Sequence, residues 1–192
     1  MAEGLTSRDQ QRDRRARKNE LSILEKTAKQ ANKILNVSSV ELLDYPDNRM
    51  DSVDLLDIVK VIEQKITKLK PDLVVTHHIG DLNIDHQVTH RAVMTACRPQ
   101  PGQTVRRILS FEVPSATEWQ SPSSGCSFVP NWYEDTSETL KLKIKALKAY
   151  ESEMKPWPHA RSLNAVEHLA KWRGASVGLN SAEAFMLIRE IK

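Results

Sequence analysis

The sequence has little of what marks several common classes of protein. Of its six glycines, none stands in a GxGxxG or GxxxxGK arrangement, so neither common glycine-rich phosphate loop is present. Its two cysteines, Cys97 and Cys126, lack CxxC spacing, which favours a reduced, cytoplasmic compartment with both thiols buried and inert. No apolar run approaches the roughly 18 residues of a membrane span, and no secretory signal is evident at the N-terminus.

Charge gives little indication of a nucleic-acid partner. The formal net charge of +3 over 192 residues is small. The Arg-rich stretch 8–18 has acidic residues interleaved with its cations, which favours a solvated helix face over a nucleic-acid patch. The second interpretation would show as steep salt dependence of binding. Aliphatic residues occur throughout the chain, and its length suits a single domain over residues 1–192 with its own core.

Hydrophobic periodicity predicts alternating strands and helices. Residues 114–135 and 156–162 have the composition of irregular segments, and residues 184–191 form either a strand or a helix. The alternation predicts βαβ units, hence an α/β fold with a mostly parallel sheet and flanking helices. The predicted helices cover 8–35, 51–66, 85–97, 137–150 and 163–173, and the predicted strands cover 40–45, 72–76 and 105–111.

The richest set of chemical groups follows the strand at 72–76. Residues 77–86 read HHIGDLNIDH and hold three histidines and two aspartates. In open α/β sheets, ligands gather outside the carboxyl ends of the strands. Right-handed crossovers place the loops after residues 45, 76 and 111 at the same edge of the sheet. We therefore expect residues 48–51, 77–86 and 115–119 to form one mouth.

Within this mouth, His86 is the strongest candidate for a metal ligand. It is expected in the first turn of a helix, with Asp85 beside it. A carboxylate in this place supports the interpretation as a metal ligand, because the second nitrogen of a ligating imidazole is usually held by a carboxylate or a carbonyl. A capping or surface histidine is the alternative. His90 shares the helix face of His86, but this pair lacks a third ligand, and a structural role is preferred. Asp81 and Asn83 either shape the loop or contact substrate.

Other candidates lie outside this loop. Arg49 clamps a phosphate or a sugar, or else forms an ordinary surface ion pair. His159 and Arg161 lie between closely spaced prolines and the start of a helix. Prolines make such a loop rigid, so one hypothesis is that it presents a cation that binds a ligand. Three aromatic residues flank the irregular segment 114–135 and either stack on sugar rings or, as is more common, anchor the loop to the core: Trp119, Trp132 and Tyr133.

The motif THHIGDLNIDH at 76–86, followed by Ala92, Ala96 and Arg98-Pro99, resembles the PIG-L/LmbE-like family of zinc-dependent sugar N-deacetylases. This resemblance implies a Rossmann-like sheet with the metal at its carboxyl edge. Further segments that look like family landmarks are 46–51, 112–119, 128–133, 150–153, 158–162 and 182–185.

The resemblance implies a hydrolase that uses Zn²⁺ to remove an acetyl group from an N-acetylated sugar conjugate, of the N-acetylglucosamine type. His86 then matches a metal ligand, with Asp85 as its orienting partner in the catalytic set. Asn83 stands where many members carry a histidine that steadies the oxyanion; an amide can donate a hydrogen bond there but cannot carry a proton. The substrate-binding residues that we expect are Asn48, Arg49, Asp51, Asp81, His159 and Arg161.

One family motif has no counterpart in this sequence. The segment Ala-His-Pro-Asp-Asp-Glu, which carries two metal ligands and the general base, does not occur. We therefore expect a chain that is N-terminally truncated relative to the family, with the first strand before Met1. The alternative function is a non-catalytic, sugar-binding or partner-completed module. Strand edges left open by a missing strand favour pairing with other chains, including a homo-oligomer.

Overall fold

The predicted α/β class is confirmed by a computed structural model, which describes residues 1–121 and 126–192. Part of the segment predicted to be irregular, 122–125, lies outside the described residues. The helices are α1 (Lys18–Ile34), α2 (Leu55–Leu69), α3 (Ile84–Ala96), α4 (Leu140–Lys148) and α5 (Leu163–Ala175). The strands are β1 (Leu73–His77), β2 (Arg107–Phe111), β3 (Trp132–Asp135) and β4 (Ala182–Glu190).

The sheet has the strand order β1-β2-β4-β3. β1 and β2 are parallel, with Leu73 opposite Arg107 and His77 opposite Phe111, as expected for strands joined by a helical crossover. β4 runs antiparallel to β2. The prediction of a mostly parallel sheet is therefore wrong for the described strands. Residues 184–191, for which the sequence left strand and helix as alternatives, lie mostly in strand β4, and this strand runs opposite to β2.

The chain divides into two compact units. Unit 1 comprises Met1–Asp47 and Tyr133–Glu183, and unit 2 comprises Asn48–Trp132 and Ala184–Lys192. In unit 1, α1 packs against α4, and α4 packs against α5. Buried alanines on these helices allow close approach of their backbones: Ala28, Ala31, Ala146 and Ala170. The single domain over residues 1–192 stays a prediction.

Unit 2 has its own apolar core beneath the parallel strands. Val93 of α3 and Cys97, which caps the C-terminal end of this helix, pack with Val105 and with Ile108 of β2. α2 packs against α3, which fixes α3 on the sheet. This packing positions the N-terminal end of α3 at the carboxyl end of β1. Partly buried residues that complete the core are Ile62, Ile66, Val74, Met94 and Ile188.

Two predicted elements of unit 1 differ from the structure. The N-terminal helix begins at Lys18 instead of residue 8, and Thr6–Arg8 forms a short 3₁₀ turn. Ion pairs hold the intervening segment in an irregular path, since Arg12 binds Glu3. Residues 40–44 form no strand in the described part of the chain, although Tyr45 makes one parallel bridge with Ala2.

Cys97 is buried as expected, whereas Cys126 is exposed, so the expectation of two buried thiols is wrong for Cys126. Among the helices of residues 1–121 and 126–192, none is long and apolar enough to cross a lipid bilayer.

Candidate active site

The candidate site lies in unit 2, where β1 ends at His77 and α3 begins. Asn83 caps α3: its side-chain oxygen accepts hydrogen bonds from the backbone N–H groups of Asp85 at 2.8 Å and His86 at 3.4 Å. The side chain of Gln87 donates to the carbonyl of Asp81 at 2.7 Å and closes the loop onto the helix. Because the first turn is held at both ends, His86 has a defined position at the helix start.

Asp81 is the carboxylate that faces His86. It is fully buried, and its Oδ2 lies 3.1 Å from His86 Nδ1. His86 Nδ1 is buried and has no well-aligned hydrogen bond to any described atom. The contact with Asp81 is therefore mainly an electrostatic one. A carboxylate on this side favours the tautomer with its proton on Nδ1. Nε2 is then the nitrogen whose lone pair can bind a metal or accept a proton.

The charge of Asp81 is stabilised by its neighbours. Its Oδ1 accepts from the N–H of Asn83 at 2.9 Å, and its Oδ2 accepts from the hydroxyl of Thr117 at 3.0 Å. Burial alone would raise the pKa of Asp81, but the His86 imidazole and these donors together lower the pKa below its ordinary value. The carboxylate is therefore ionised at neutral pH and can hold the His86 ring.

His77 forms a wall behind His86. The rings of His77 and His86 stack with their centroids 4.0 Å apart and their planes 17° from parallel. Phe111 of β2 packs on the same histidine, with its ring centroid 4.8 Å from that of His77. Burial, and then the neighbouring His86, lowers the pKa of His77 to about 3. His77 is thus neutral at physiological pH. The backbone carbonyl of His77 also lies 2.8 Å from Nδ1 of His90, which gives His90 the structural role expected for it.

Asp85 binds a different part of the site. Its Oδ2 accepts from the N–H of Asn48 at 2.7 Å and its Oδ1 accepts from the N–H of Met50 at 2.9 Å. The structure therefore places Asp81 against the His86 ring, where the sequence pointed to the adjacent Asp85. Spacing could not separate the two acids, since both lie within five residues of His86.

The structure brings the three predicted loops together within unit 2. Residues 48–51 are tied to α3 through Asp85, so Asn48, Arg49 and Asp51 lie beside the start of the helix. The loop 115–119 joins through Thr117 and through the carbonyl of Ala116, which accepts from the N–H of Leu82 at 3.2 Å. Sequence reasoning missed the specific part of Thr117, because a lone hydroxyl in an irregular segment carries no periodic signal.

His159 and Arg161 belong to unit 1. His159 Nδ1 accepts from the backbone N–H of Arg161 at 3.0 Å, and the Arg161 guanidinium lies 3.7 Å from Glu153. These contacts hold the loop before α5. Their assignment to substrate stays a prediction.

The residues present do not by themselves fit a catalytic zinc ion. Such a site needs about three protein ligands and one open position. The described residues contain no group of three or more His, Cys, Asp or Glu side chains placed to hold a metal ion. His86 Nε2 supplies one candidate donor, and Asp81, which contacts its Nδ1, lies behind the ring where it orients this donor. A complete zinc site therefore requires ligands that this group of residues does not supply.

Comparison with known families gives a match to the PIG-L family, described as GlcNAc-PI de-N-acetylase, over residues 2–97. This match covers half of the chain and includes Asp81, Asn83, Asp85 and His86. A search of curated protein sequences gave no match.

Solved structures share the fold at low sequence identity. The N,N'-diacetylchitobiose deacetylase from Pyrococcus horikoshii is 16% identical with a TM-score of 0.68, over 88% of this chain and 64% of that enzyme. GalB, the 4-carboxy-2-hydroxymuconate hydratase from Pseudomonas putida KT2440, is 19% identical with a TM-score of 0.69, over 97% and 78%. The zinc inhibited form of teicoplanin deacetylase Orf2 is 17% identical with a TM-score of 0.64, over 89% and 75%. Because a hydratase stands beside deacetylases, the fold alone does not select the reaction.

Proposed function

This chain belongs to the PIG-L family, and we propose that it acts in the removal of an acetyl group from an N-acetylated amino sugar conjugate, of the N-acetylglucosamine type. The observation that carries the proposal is the Asp81–His86 pair at the start of α3. A buried, ionised carboxylate holds one imidazole nitrogen and leaves the other directed away from it, an arrangement typical of metal-ligating histidines. The family match and two deacetylases among the structural neighbours support the same reaction.

Zinc is the cofactor that this proposal includes, with His86 as one ligand. A neighbour solved as a zinc inhibited deacetylase supports a metal-dependent family. Since the described residues hold no group of three ligands, we assign no step of the reaction to the metal. In this proposal, the other zinc ligands are supplied by groups other than the side chains around His86.

Asn83 is the proposed donor to the oxyanion that forms when the acetamide carbonyl is attacked. Its side-chain oxygen is already used to cap α3, which leaves the amide NH₂ as the group of this side chain that donates to a ligand. A fixed donor of this kind stabilises developing negative charge. It cannot transfer a proton, so the general base has to be another group.

The substrate contacts in the proposal come from the turn that Asp85 holds. Asn48, Arg49 and Asp51 offer amide, guanidinium and carboxylate groups to sugar hydroxyls. His159 and Arg161 stay predicted contacts to substrate. A homo-oligomer and a cytoplasmic location also stay predictions.

A second candidate function is a non-catalytic, sugar-binding or partner-completed module. Two observations favour it: the absence of a three-ligand group among the described residues, and the position of β1 at the end of the sheet. Leu73 and Val75 of β1 share one face of the strand and are 39% and 45% exposed, so this face has an uncovered apolar surface. A strand at the end of a sheet can in addition pair with a strand from another chain.

The experiment that separates the two functions starts from protein tagged at its C-terminus and purified from its own source. Acetate release from N-acetylglucosamine and N,N'-diacetylchitobiose is measured for this protein and for the His86→Ala variant. Release that the variant lacks supports the deacetylase. Binding of either sugar without any release, together with no retained zinc, supports the module. Equal release by both proteins excludes His86 from the site.

A further inference from the structure

We infer that Asp85 is a positioning residue that fixes the Asn48–Arg49 turn for recognition of the sugar conjugate; this inference rests on the proposed function. Both carboxylate oxygens of Asp85 are used by backbone N–H groups of this turn, at 2.7 Å from Asn48 and 2.9 Å from Met50. Asp85 itself is 5% exposed. Hydrogen bonds from two N–H groups to one buried carboxylate are strong and directional, so they set the path of the turn.

The backbone of the turn has a conformation that such an anchor favours. Asn48 has a φ of 51°, in the left-handed region, which asparagine adopts more readily than other residues with a side chain but which still costs some free energy. The two hydrogen bonds to Asp85 offset this cost. The inner end of the turn is also fixed, since Met50 is fully buried at the start of a 3₁₀ turn. Asp85 and Met50 thus hold the two sides of Arg49.

Arg49 is the residue whose function this anchor serves. It lies between two backbone groups bound to the same carboxylate, and it is partly exposed beside the first turn of α3. A guanidinium on a fixed backbone can bind hydroxyl or anionic oxygens of a ligand with less loss of conformational entropy than one on a free loop. Asp85 therefore contributes to recognition through Arg49, while Asp81 orients His86.

The test is a double-mutant cycle on binding of N-acetylglucosamine, measured by calorimetry on the full chain. We expect Arg49→Ala and Asp85→Ala each to weaken binding about tenfold, the range of one lost polar contact. The double variant is expected to bind no more weakly than the weaker single variant, because both changes remove the same contact. Asp57→Ala, an exposed acid in the first turn of α2, is the matched control and should bind as wild type.

Asp85→Asn tests whether the effect depends on the two accepted hydrogen bonds. An asparagine keeps one acceptor oxygen, so its binding is expected to fall between wild type and Asp85→Ala. Amide hydrogen exchange at Asn48 and Met50 gives a readout that needs no sugar. Exchange there should speed up in Asp85→Ala and less in Asp85→Asn, with the rest of α3 unchanged.

Several outcomes overturn the inference. If losses in the double variant multiply, Asp85 and Arg49 act independently and the positioning role is wrong. If exchange at Asn48 and Met50 is unchanged in Asp85→Ala, the anchor does not hold the turn. If wild-type protein binds no N-acetylated sugar, the proposed function fails and the recognition role fails with it, even where exchange shows that the anchor exists.

Discussion

Acidification between pH 7 and 5 is predicted to destabilise the protein through His77. Its pKa is about 3 in the folded chain and about 6.5 when unfolded. Below pH 6.5 the unfolded chain therefore binds a proton that the folded chain does not, so the free energy of unfolding decreases as the pH falls. The decrease is about 1.4 kcal/mol per pH unit, which gives about 2 kcal/mol at pH 5.

Two other groups define the window. The pKa of His90 is also lowered, by burial first, and it adds a loss of the same sign. The pKa of Asp81 is lowered as well, so its contribution is present above the unfolded value of about 3.8 and is lost only under more acidic conditions. The interval between pH 7 and 5 therefore reports on the histidines.

The assay is urea unfolding followed by tryptophan fluorescence at pH 7 and pH 5. His77→Phe keeps a ring to stack on His86 but cannot titrate, so its loss of stability between the two pH values should be about 2 kcal/mol smaller than in wild type. His168→Gln removes an exposed histidine and is the control, with a loss equal to wild type. Equal losses in wild type and His77→Phe would refute the assignment of a buried, neutral His77.

Three further predictions concern single side chains. Asp81→Asn should cost about 1–3 kcal/mol in urea unfolding and move the proton of His86 to Nε2, visible in its ¹⁵N spectrum, because an amide can donate to Nδ1; an unchanged tautomer would contradict it. Gly174→Ala should lower the melting temperature, since a Cβ there would lie 2.5 Å from the backbone of Ser181; an unchanged melting temperature would show that this packing can adjust. Ser162→Ala should cost about 1 kcal/mol in urea unfolding by removing the cap of α5, and threonine should restore it; an equal cost with threonine would exclude the cap.

The elements of unit 2 followed closely from periodicity. β1 and α3 begin and end within a few residues of their predicted limits, because one is a short apolar run and the other has a polar cap followed by an amphipathic pattern. The direction of β4 could not be predicted in this way. Alternation along one segment says nothing about the strand it pairs with, and β4 pairs antiparallel with β2.

The start of the first helix shows a different limit. Arginine has good helix propensity, so the sequence predicts a helix from residue 8. In the structure, Arg17 binds Asp9 and Arg14 binds Asp44, and these tertiary ion pairs compete with helix formation before Lys18. Propensity is a weak prior that such contacts override.

The sequence predicts which residues form the site better than it predicts which of them contact each other. His86 and the acids around it follow from one motif, and the order of strands and loops along the sequence predicts loops 48–51 and 115–119 beside it. Which acid faces which partner depends on the cap of α3 by Asn83, which sets the rotation of the first turn. Two aspartates on either side of one helix start are equivalent in sequence, and only the backbone decides between them.

The central claim is that His86, held by Asp81, belongs to a site that removes acetyl groups from amino sugars. The most direct measurement is acetate release from N-acetylglucosamine by the protein purified from its own source, compared with His86→Ala and Asp81→Ala. The claim predicts release by wild type, loss of release in His86→Ala and a strong reduction in Asp81→Ala. Undiminished release in His86→Ala, or no release by a wild-type protein that binds the sugar, would contradict it.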